Sequence, residues 1–448
     1  MSQPWTKKRD KFMQKIDTLI HARWVVPIVP RNQVLEHYSV AIDHGKIIDL
    51  LPTTSAKTKY DAKNNVDRSS HIVMPGLINT HAHTPMNLLR GLADDLQLMD
   101  WLNHHIWPAE AKLLCSESVY DGSLMAIAEM LRGGTTCFND HYFFPNETAK
   151  AAMDAGMRAC IGLWVGSVPT GWAKNAEEYI EKAKHAYINR DKNPLITYAL
   201  APHSPYVNDD HSLMLTKHFA DEHNLKIHIH LHETQTEIEM NLSSHGNRPM
   251  ERFYKMGLLN DRMIAVHMVH LNDDEIAMCA ETKLHVSHNP ESNLKLASGF
   301  APIAKLLKAG VNVSLGTDGA ASNNDLDMFG ELQTAALIGK AVTQDPTVLD
   351  AMTVLEMATI NGAKTLGLEK EMGSIEIGKS ADIIAIDFDH LFTQPIYHPI
   401  SHLVYAMNRL QVSDVFVAGK QVLNRGEFMT IDCDAVIAKA QQWAKTII

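Results

Sequence analysis

The chain is poor in cysteine. Its five residues (Cys115, Cys137, Cys160, Cys279 and Cys433) contain no close pair, which argues against a disulfide framework and reads as reduced thiols in a cytoplasmic protein. Long apolar runs are missing too. No uninterrupted stretch approaches the roughly 20 residues that cross a bilayer, and the opening "MSQPWTKKRDKFMQKID" has no apolar core of signal-peptide length. There is no basic tract, and the net charge of −11 speaks against a nucleic-acid partner. Neither a low-complexity segment nor a short-period repeat is found. With 45% apolar and 21% charged residues over 448 positions, what remains is an ordinary globular chain of two or three domains, or one large barrel with additions.

Histidine is what the chain has in quantity: 25 residues, enough to prompt a search for ligand clusters. The two ends of the chain resemble each other. "SVAIDHGKIIDLLP" alternates apolar and polar residues around Asp43-His44-Gly45-Lys46, a hairpin signal. "GSIEIGKSADIIAIDF" and "VSDVFVAGKQVLNRGEF" repeat the style near the C-terminus. These ends are expected to pair into one small β-sandwich domain, residues 1–74 with 373–448. In the middle, 75–372, short β-rich runs alternate with helical patterns: "VMPGLINTH", "GGTTCFNDH", "RACIGLWV", "ITYALAPHS", "KIHIHLHE", "MIAVHMVH", "KLHVSHNP" and "NVSLGTDG". Alternation of this kind predicts a parallel sheet. Eight such runs predict an α/β fold of the (β/α)8 TIM-barrel type, whose chemistry sits at the C-terminal ends of the strands.

Reactive side chains gather at those ends. His81 and His83 are two apart, so on a strand both face the same way and make half a metal site. His228, His230 and His232 share a face on the fifth run. His230, three residues before Glu233, is the preferred ligand, and its two neighbours are assigned to packing or supporting hydrogen bonds. Asp318 follows "VSLGT", where an aspartate is as readily a helix N-cap; beside the histidine set it reads as a ligand and base. His267 ends the sixth run and could orient a water. His270 reads as structural, and the role of His288 stays open between the pocket wall and packing.

"PGLINTHAH", "HLHET", "AVHMVHL", "SHNPESNLKLASG" and "SLGTDGAASNN", in this order, resemble the amidohydrolase superfamily. "HAHTPMNLLRGLADDLQLMDWLNHHIWPAE" is similar to its 5-methylthioadenosine/S-adenosylhomocysteine deaminases, within the group that includes triazine chlorohydrolases and guanine deaminases. The likeness runs over nearly the whole chain. It implies a single metal held by His81, His83, His230 and Asp318, because the fourth run ends "LAPHSPY" without the lysine that bridges two metals in other members. The metal implied is one zinc per subunit, with iron or manganese able to take the same ligands. Glu233 matches the proton-shuttling acid, and His267 the residue that contacts the attacking water. Glu110 and His203 match positions that hold a purine nucleoside, and Trp101 and Trp164 are expected beside them. A homo-oligomer, dimer or tetramer, is implied as well.

The expected reaction is hydrolytic loss of the 6-amino group from adenosine-type nucleosides. Relatives that accept S-adenosylhomocysteine place arginines after the third strand; "GLWVGSVPTGWAKNAEEY" has none, and its only cation is Lys174. An unpartnered carboxylate there is costly, so S-adenosylhomocysteine is expected to be a weaker substrate than 5′-methylthioadenosine, 5′-deoxyadenosine or adenosine. The alternatives are a deaminase or chlorohydrolase acting on guanine or a triazine, and a silent barrel serving as a scaffold. The second fits poorly with a complete ligand set.

Overall fold

The computed structural model describes residues 13–447; the first twelve positions, where most of the supposed leaderless N-terminus falls, lie outside the described residues. Eight parallel strands, β1 (Leu77–Ala82), β2 (Thr135–Asp140), β3 (Arg158–Val165), β4 (Ile196–Pro202), β5 (Lys226–Leu231), β6 (Met263–His267), β7 (His285–His288) and β8 (Asn312–Leu315), pair in chain order. The eight β-rich runs of the sequence fall on these eight strands. Their residues are buried almost without interruption, as strands covered on both faces must be.

The helices between them follow from local signals. Ser116–Arg132 starts on a capping box made by Cys115 and Ser118 and stops at Gly133-Gly134. Its buried positions Val119, Ala126, Ile127, Met130 and Leu131 recur at helical spacing and form one apolar face. Asp209 caps Asp210–His223 by accepting from the Ser212 amide at 2.8 Å, and Asn224 ends that helix in the left-handed region. One end of the barrel is plugged by Ala363, Leu366 and Met372 against Ile78, Cys137, Cys160 and Ile264. Burial there pushes the Cys160 thiol up to about 11, which leaves it inert.

β1 and β8 stand at opposite ends of the strand order, and side chains as well as backbone join them. Thr80 Oγ1 donates to the Leu315 carbonyl at 2.8 Å, the Thr317 amide donates to Asn79 Oδ1 at 3.1 Å, and the Asp318 amide donates to the His81 carbonyl at 3.0 Å. The approach needs a residue without a side chain: a Cβ on Gly316 would lie 2.7 Å from the His81 nitrogen.

Both chain ends build a second, nine-stranded sheet. Strand Tyr60–Pro75 runs parallel to Gln14–Val25 and antiparallel to Ile383–Asp387, with Pro75 opposite Ile383. The hairpin read at Asp43–Lys46 is present, with His44 and Gly45 both at positive φ (48° and 75°), as a two-residue type I′ turn requires. Alternate residues feed two apolar clusters: Ile20, Val40 and Ile42 belong to one, Leu19 and Ala41 to the other. Only Gly76 separates this sheet from β1. The last helix, Cys433–Ile447, expected with the small domain, instead leans on the barrel: Trp443 Nε1 donates to Asp121 and Lys439 pairs with Glu117, both at 2.8 Å. Among the described residues, no helix is long and apolar enough to cross a membrane.

The seam gives a first prediction. Gly316→Ala forces β8 away from β1 and costs about 1–3 kcal/mol, in the range of other overpacking changes. Calorimetry should show a lowered unfolding temperature, and elemental analysis a loss of bound metal. Wild-type values in both would contradict the role given to this glycine.

Candidate metal and active site

The barrel brings together what the sequence spreads from His81 to Asp318. One donor atom from each of His81, His83, His230 and Asp318 lies within 4.8 Å of the other three, and all four residues are buried or nearly so. Asp318 Oδ1 is 3.2 Å from both His81 Nε2 and His83 Nε2, and His83 Nε2 is 3.2 Å from His230 Nε2.

Second contacts fix which nitrogens face inward with lone pairs. His83 Nδ1 donates to the His141 carbonyl and His230 Nδ1 to the His203 carbonyl, each at 2.6 Å. With those protons committed, both Nε2 atoms are acceptors. His81 Nδ1 sits 2.9 Å from His228 Nε2, and His81 Nε2 is buried without a hydrogen-bond partner. Burial pushes the His81 pKa down to about 3 and that of His230 well below its ordinary value. Burial opposes charge on His83 too, but the Asp318 carboxylate outweighs it and raises that pKa. Burial alone would raise the Asp318 carboxyl; contacts with His81 and His83 hold it well below the usual carboxylate range. With the three rings neutral these acceptors repel one another, and without a cation only a proton shared between His83 and Asp318 relieves them. A divalent cation resolves the conflict, and three imidazole nitrogens with one carboxylate oxygen suit zinc. The residues present therefore fit such an ion.

The supporting shell is dense. Ser292 Oγ donates to Asp318 Oδ2 at 2.7 Å and the Gly319 amide to Oδ1 at 2.8 Å. Asp318 (φ 63°) and His267 (φ 73°) both hold left-handed backbone conformations, strain of the sort kept at working sites. His267 Nδ1 donates to Asn293 Oδ1 at 2.9 Å, and its Nε2 faces Glu233 Oε2 at 3.9 Å. Burial raises the Glu233 pKa, partly offset by His267. The Glu233 segment is clamped from behind, where Glu237 accepts the His232 and Glu233 amides at 2.8 and 3.0 Å.

Above the four donors lies a cavity of about 570 Å³, within the ordinary range for small-molecule sites. His83, His230, Glu233, His267 and Asp318 line it, as do the expected Trp101, Glu110, Trp164 and His203. Tyr142 Oη donates to Glu110 Oε1 at 2.6 Å, while burial raises the pKa of that carboxyl. Trp101 spends its indole N–H on the Ala93 carbonyl at 2.9 Å, so it offers the cavity an apolar face. Trp164 packs against Phe143 and Tyr179. Among the described residues no lysine or arginine lines the cavity, which carries three carboxylates.

Other histidines sort as their contacts dictate. His232 accepts from the Met250 amide and bonds the His270 carbonyl, and His270 Nε2 bonds the Ser298 carbonyl; both are structural. His228 backs His81. His288 does not line the catalytic cavity but a neighbouring one. Sequence reasoning missed His141, Tyr142, Ser292, Asn293 and Glu237. His141 ends the run "GGTTCFNDH" and obeys the strand-end rule, so that signal was present. The remaining four lie on loops or helices, and the run pattern does not single them out.

Residues 72–422 match the amidohydrolase family. The chain belongs to that family. A 5-methylthioadenosine/S-adenosylhomocysteine deaminase of Teredinibacter turnerae is 45% identical over 432 residues, covering 96% of this amidohydrolase and 98% of the relative. A 5′-deoxyadenosine deaminase of Methanocaldococcus jannaschii is 46% identical over 392 residues, 86% of this chain and 91% of that one. The crystal structure of an adenosine deaminase from Xanthomonas campestris with bound zinc superposes with a TM-score of 0.96 at 47% identity, over 97% of this chain and 99% of the other.

Ser292 holds one carboxylate oxygen of Asp318 and, among the described residues, hydrogen-bonds to no other member of the donor set. Ser292→Ala is expected to weaken metal binding or turnover about 10- to 100-fold, the usual cost of losing a residue that orients a ligand. Competition with a chromogenic chelator measures the first and ammonia release the second. No change in either would show that Asp318 is held by other means.

Proposed function

We propose that this amidohydrolase is a zinc-dependent aminohydrolase that converts adenosine-type nucleosides to their inosine analogues, releasing ammonia. We assign zinc to His81, His83, His230 and Asp318. The observation that carries the reading is the juxtaposition of this donor set with a largely apolar cavity containing the Glu110–Tyr142 pair. The zinc-bound neighbour and the deaminase relatives support it.

Zinc held by this donor set would supply Lewis acidity, able to lower the pKa of a water from 15.7 to about 7 and so ready it for attack near neutral pH. The chain's own groups do the rest. Asp318, its Oδ2 fixed by Ser292, accepts the water's proton. His267 has committed Nδ1–H to Asn293, so Nε2 accepts from the attacking water and aims it. Glu233, its pKa raised by burial, carries a proton at a carboxyl oxygen and gives it to N1 of the purine as C6 becomes tetrahedral. Asp318 passes the proton it took from the water to the amino group, the C6 hydroxyl proton returns to Glu233, the C6–N bond breaks, and one water plus one 6-aminopurine yield a 6-oxopurine and ammonia. Glu110, braced by Tyr142, accepts from the ribose hydroxyls and sets C6 over the nucleophile.

The acidity of the cavity supports a preference for 5′-methylthioadenosine, 5′-deoxyadenosine and adenosine over S-adenosylhomocysteine, whose carboxylate finds no lysine or arginine in the lining among the described residues. We also expect a cytoplasmic homo-oligomer, dimer or tetramer. Five free cysteines support the first term, and the exposed Leu391, Phe392, Tyr397 and Leu410 support the second.

A substrate panel with metal-replete protein tests the reading. Ammonia release is expected from the three small nucleosides, more slowly from S-adenosylhomocysteine, and not from guanine or a chlorotriazine. Glu233→Gln should lower kcat about 10²- to 10⁴-fold while bound zinc stays at the wild-type level. Fastest turnover of S-adenosylhomocysteine would refute the charge argument, and unchanged activity in Glu110→Ala would refute the nucleoside.

A further inference from the structure

Thr234-Gln235-Thr236-Glu237 has the Thr-x-x-Glu spacing of a capping box, in which the acid at the third helical position returns to the amide of the cap residue. The structure departs from that pattern. Thr234 does cap the helix Gln235–His245, accepting from the Glu237 amide at 3.2 Å. The Glu237 carboxylate, however, passes over the Thr234 amide and reaches further back. Its Oε1 accepts from the His232 amide at 2.8 Å and its Oε2 from the Glu233 amide at 3.0 Å. These are the first two residues after β5, beyond the reach of its ladder. Here His232 turns the chain through a left-handed conformation (φ 55°), between the donor His230 and the acid Glu233. Glu237 is 2% exposed and, among the described residues, has no cationic partner. A glutamate is almost never buried to that degree without one. Burial raises its pKa, and the two amides work against that rise.

We infer that Glu237 is a positioning residue for proton transfer: by fixing the His232 and Glu233 peptide units it aims the Glu233 carboxyl at the purine ring. The inference rests on the aminohydrolase function proposed above, in which Glu233 carries the proton. The need for such a clamp follows from the state of Glu233 itself. Among the described residues its carboxyl makes no hydrogen bond; it lines the cavity and faces His267 Nε2 at 3.9 Å. A group that gives a proton to N1 and takes one back from the C6 hydroxyl is poorly served by a fixed partner on its own oxygens, because that partner would favour one protonation state over the other. Its aim is therefore set at the backbone. The His232 ring is held by the Met250 amide and the His270 carbonyl, and Glu237 holds the amides of His232 and Glu233, so the strained turn has one arrangement. A side-chain amide cannot replace the carboxylate, since glutamine sets an NH₂ donor against one of the two N–H donors. Aspartate keeps both acceptor oxygens and falls one methylene short.

A double-mutant cycle on the full-length, zinc-loaded protein, with adenosine as substrate, tests the inference. Glu237→Gln should lower kcat about 10- to 100-fold, the cost of a small misplacement of a reacting group, with KM and bound zinc at the wild-type level. In the Glu233→Gln background the same substitution should cost nothing further, because the group it aims is gone. Glu237→Asp runs the same cycle if Glu237→Gln folds poorly. A loss in the Glu233→Gln background as large as in the wild type shows general damage to the barrel and overturns the inference. So does an unchanged kcat, or a loss carried by KM or by zinc alone. Wild-type protein that releases no ammonia from any adenosine-type nucleoside overturns the proposed function and this inference with it, whereas turnover with additive losses overturns the inference alone.

Discussion

Everything in this molecule is arranged around four acceptor atoms that repel one another. Three imidazole nitrogens and a carboxylate oxygen sit within 4.8 Å, their lone pairs turned inward because the opposite ring nitrogens of His83 and His230 are spent on backbone carbonyls. With the rings neutral such a cluster is repulsive, and a divalent ion held there would couple its binding to the stability of the barrel. The barrel supplies the rigidity this requires, since carbonyls of neighbouring strand ends, not mobile side chains, orient two of the rings.

The eighth strand bears a heavy share of the constraint. Asp318 must reach ligands on the first strand across the seam, and it does so through a glycine that permits close contact and a backbone twisted to positive φ. The hydroxyl of Ser292 and the amide of Gly319 then fix both carboxylate oxygens. His267 is held in the same manner, strained in its backbone and tethered by Asn293. Positive φ recurs where the barrel strands give way to the site, at Asp318 and His267 and also at Met268 (51°) and His232 (55°), which is where geometry matters to chemistry.

Much of this was legible in the sequence, for identifiable reasons. Strands buried on both faces write themselves as short apolar runs, so eight runs gave eight strands. A strand projects residues two apart to one side, so His81 and His83 announced a ligand pair. The choice of His230 over His228 and His232 rested on its spacing from Glu233, and the structure brings His230, not its neighbours, to the donor set. What stayed hidden depends on contacts between residues far apart in the chain. Ser292 and Asn293 act only through Asp318 and His267, and Glu237 only through a clamp on two amides; no local pattern encodes such partnerships. The excursion of the final helix back to the barrel was missed because an amphipathic helix does not name the surface it covers. His288 shows the limit from the other side, since its place at a strand end left its role open and its side chain lines the cavity next door.

Selectivity in this account follows from what the catalytic cavity lacks as much as from what it holds. Under the proposed reading, three carboxylates and the lack of lysine or arginine in the lining among the described residues favour neutral, apolar 5′ groups over acids. The metal is the common premise, and anomalous diffraction from crystals of the purified protein at the zinc edge tests it most directly. The account predicts one peak per chain, about 2.0–2.2 Å from His81 Nε2, His83 Nε2, His230 Nε2 and an Asp318 oxygen. A peak elsewhere, or none in protein that still releases ammonia from adenosine, would contradict it.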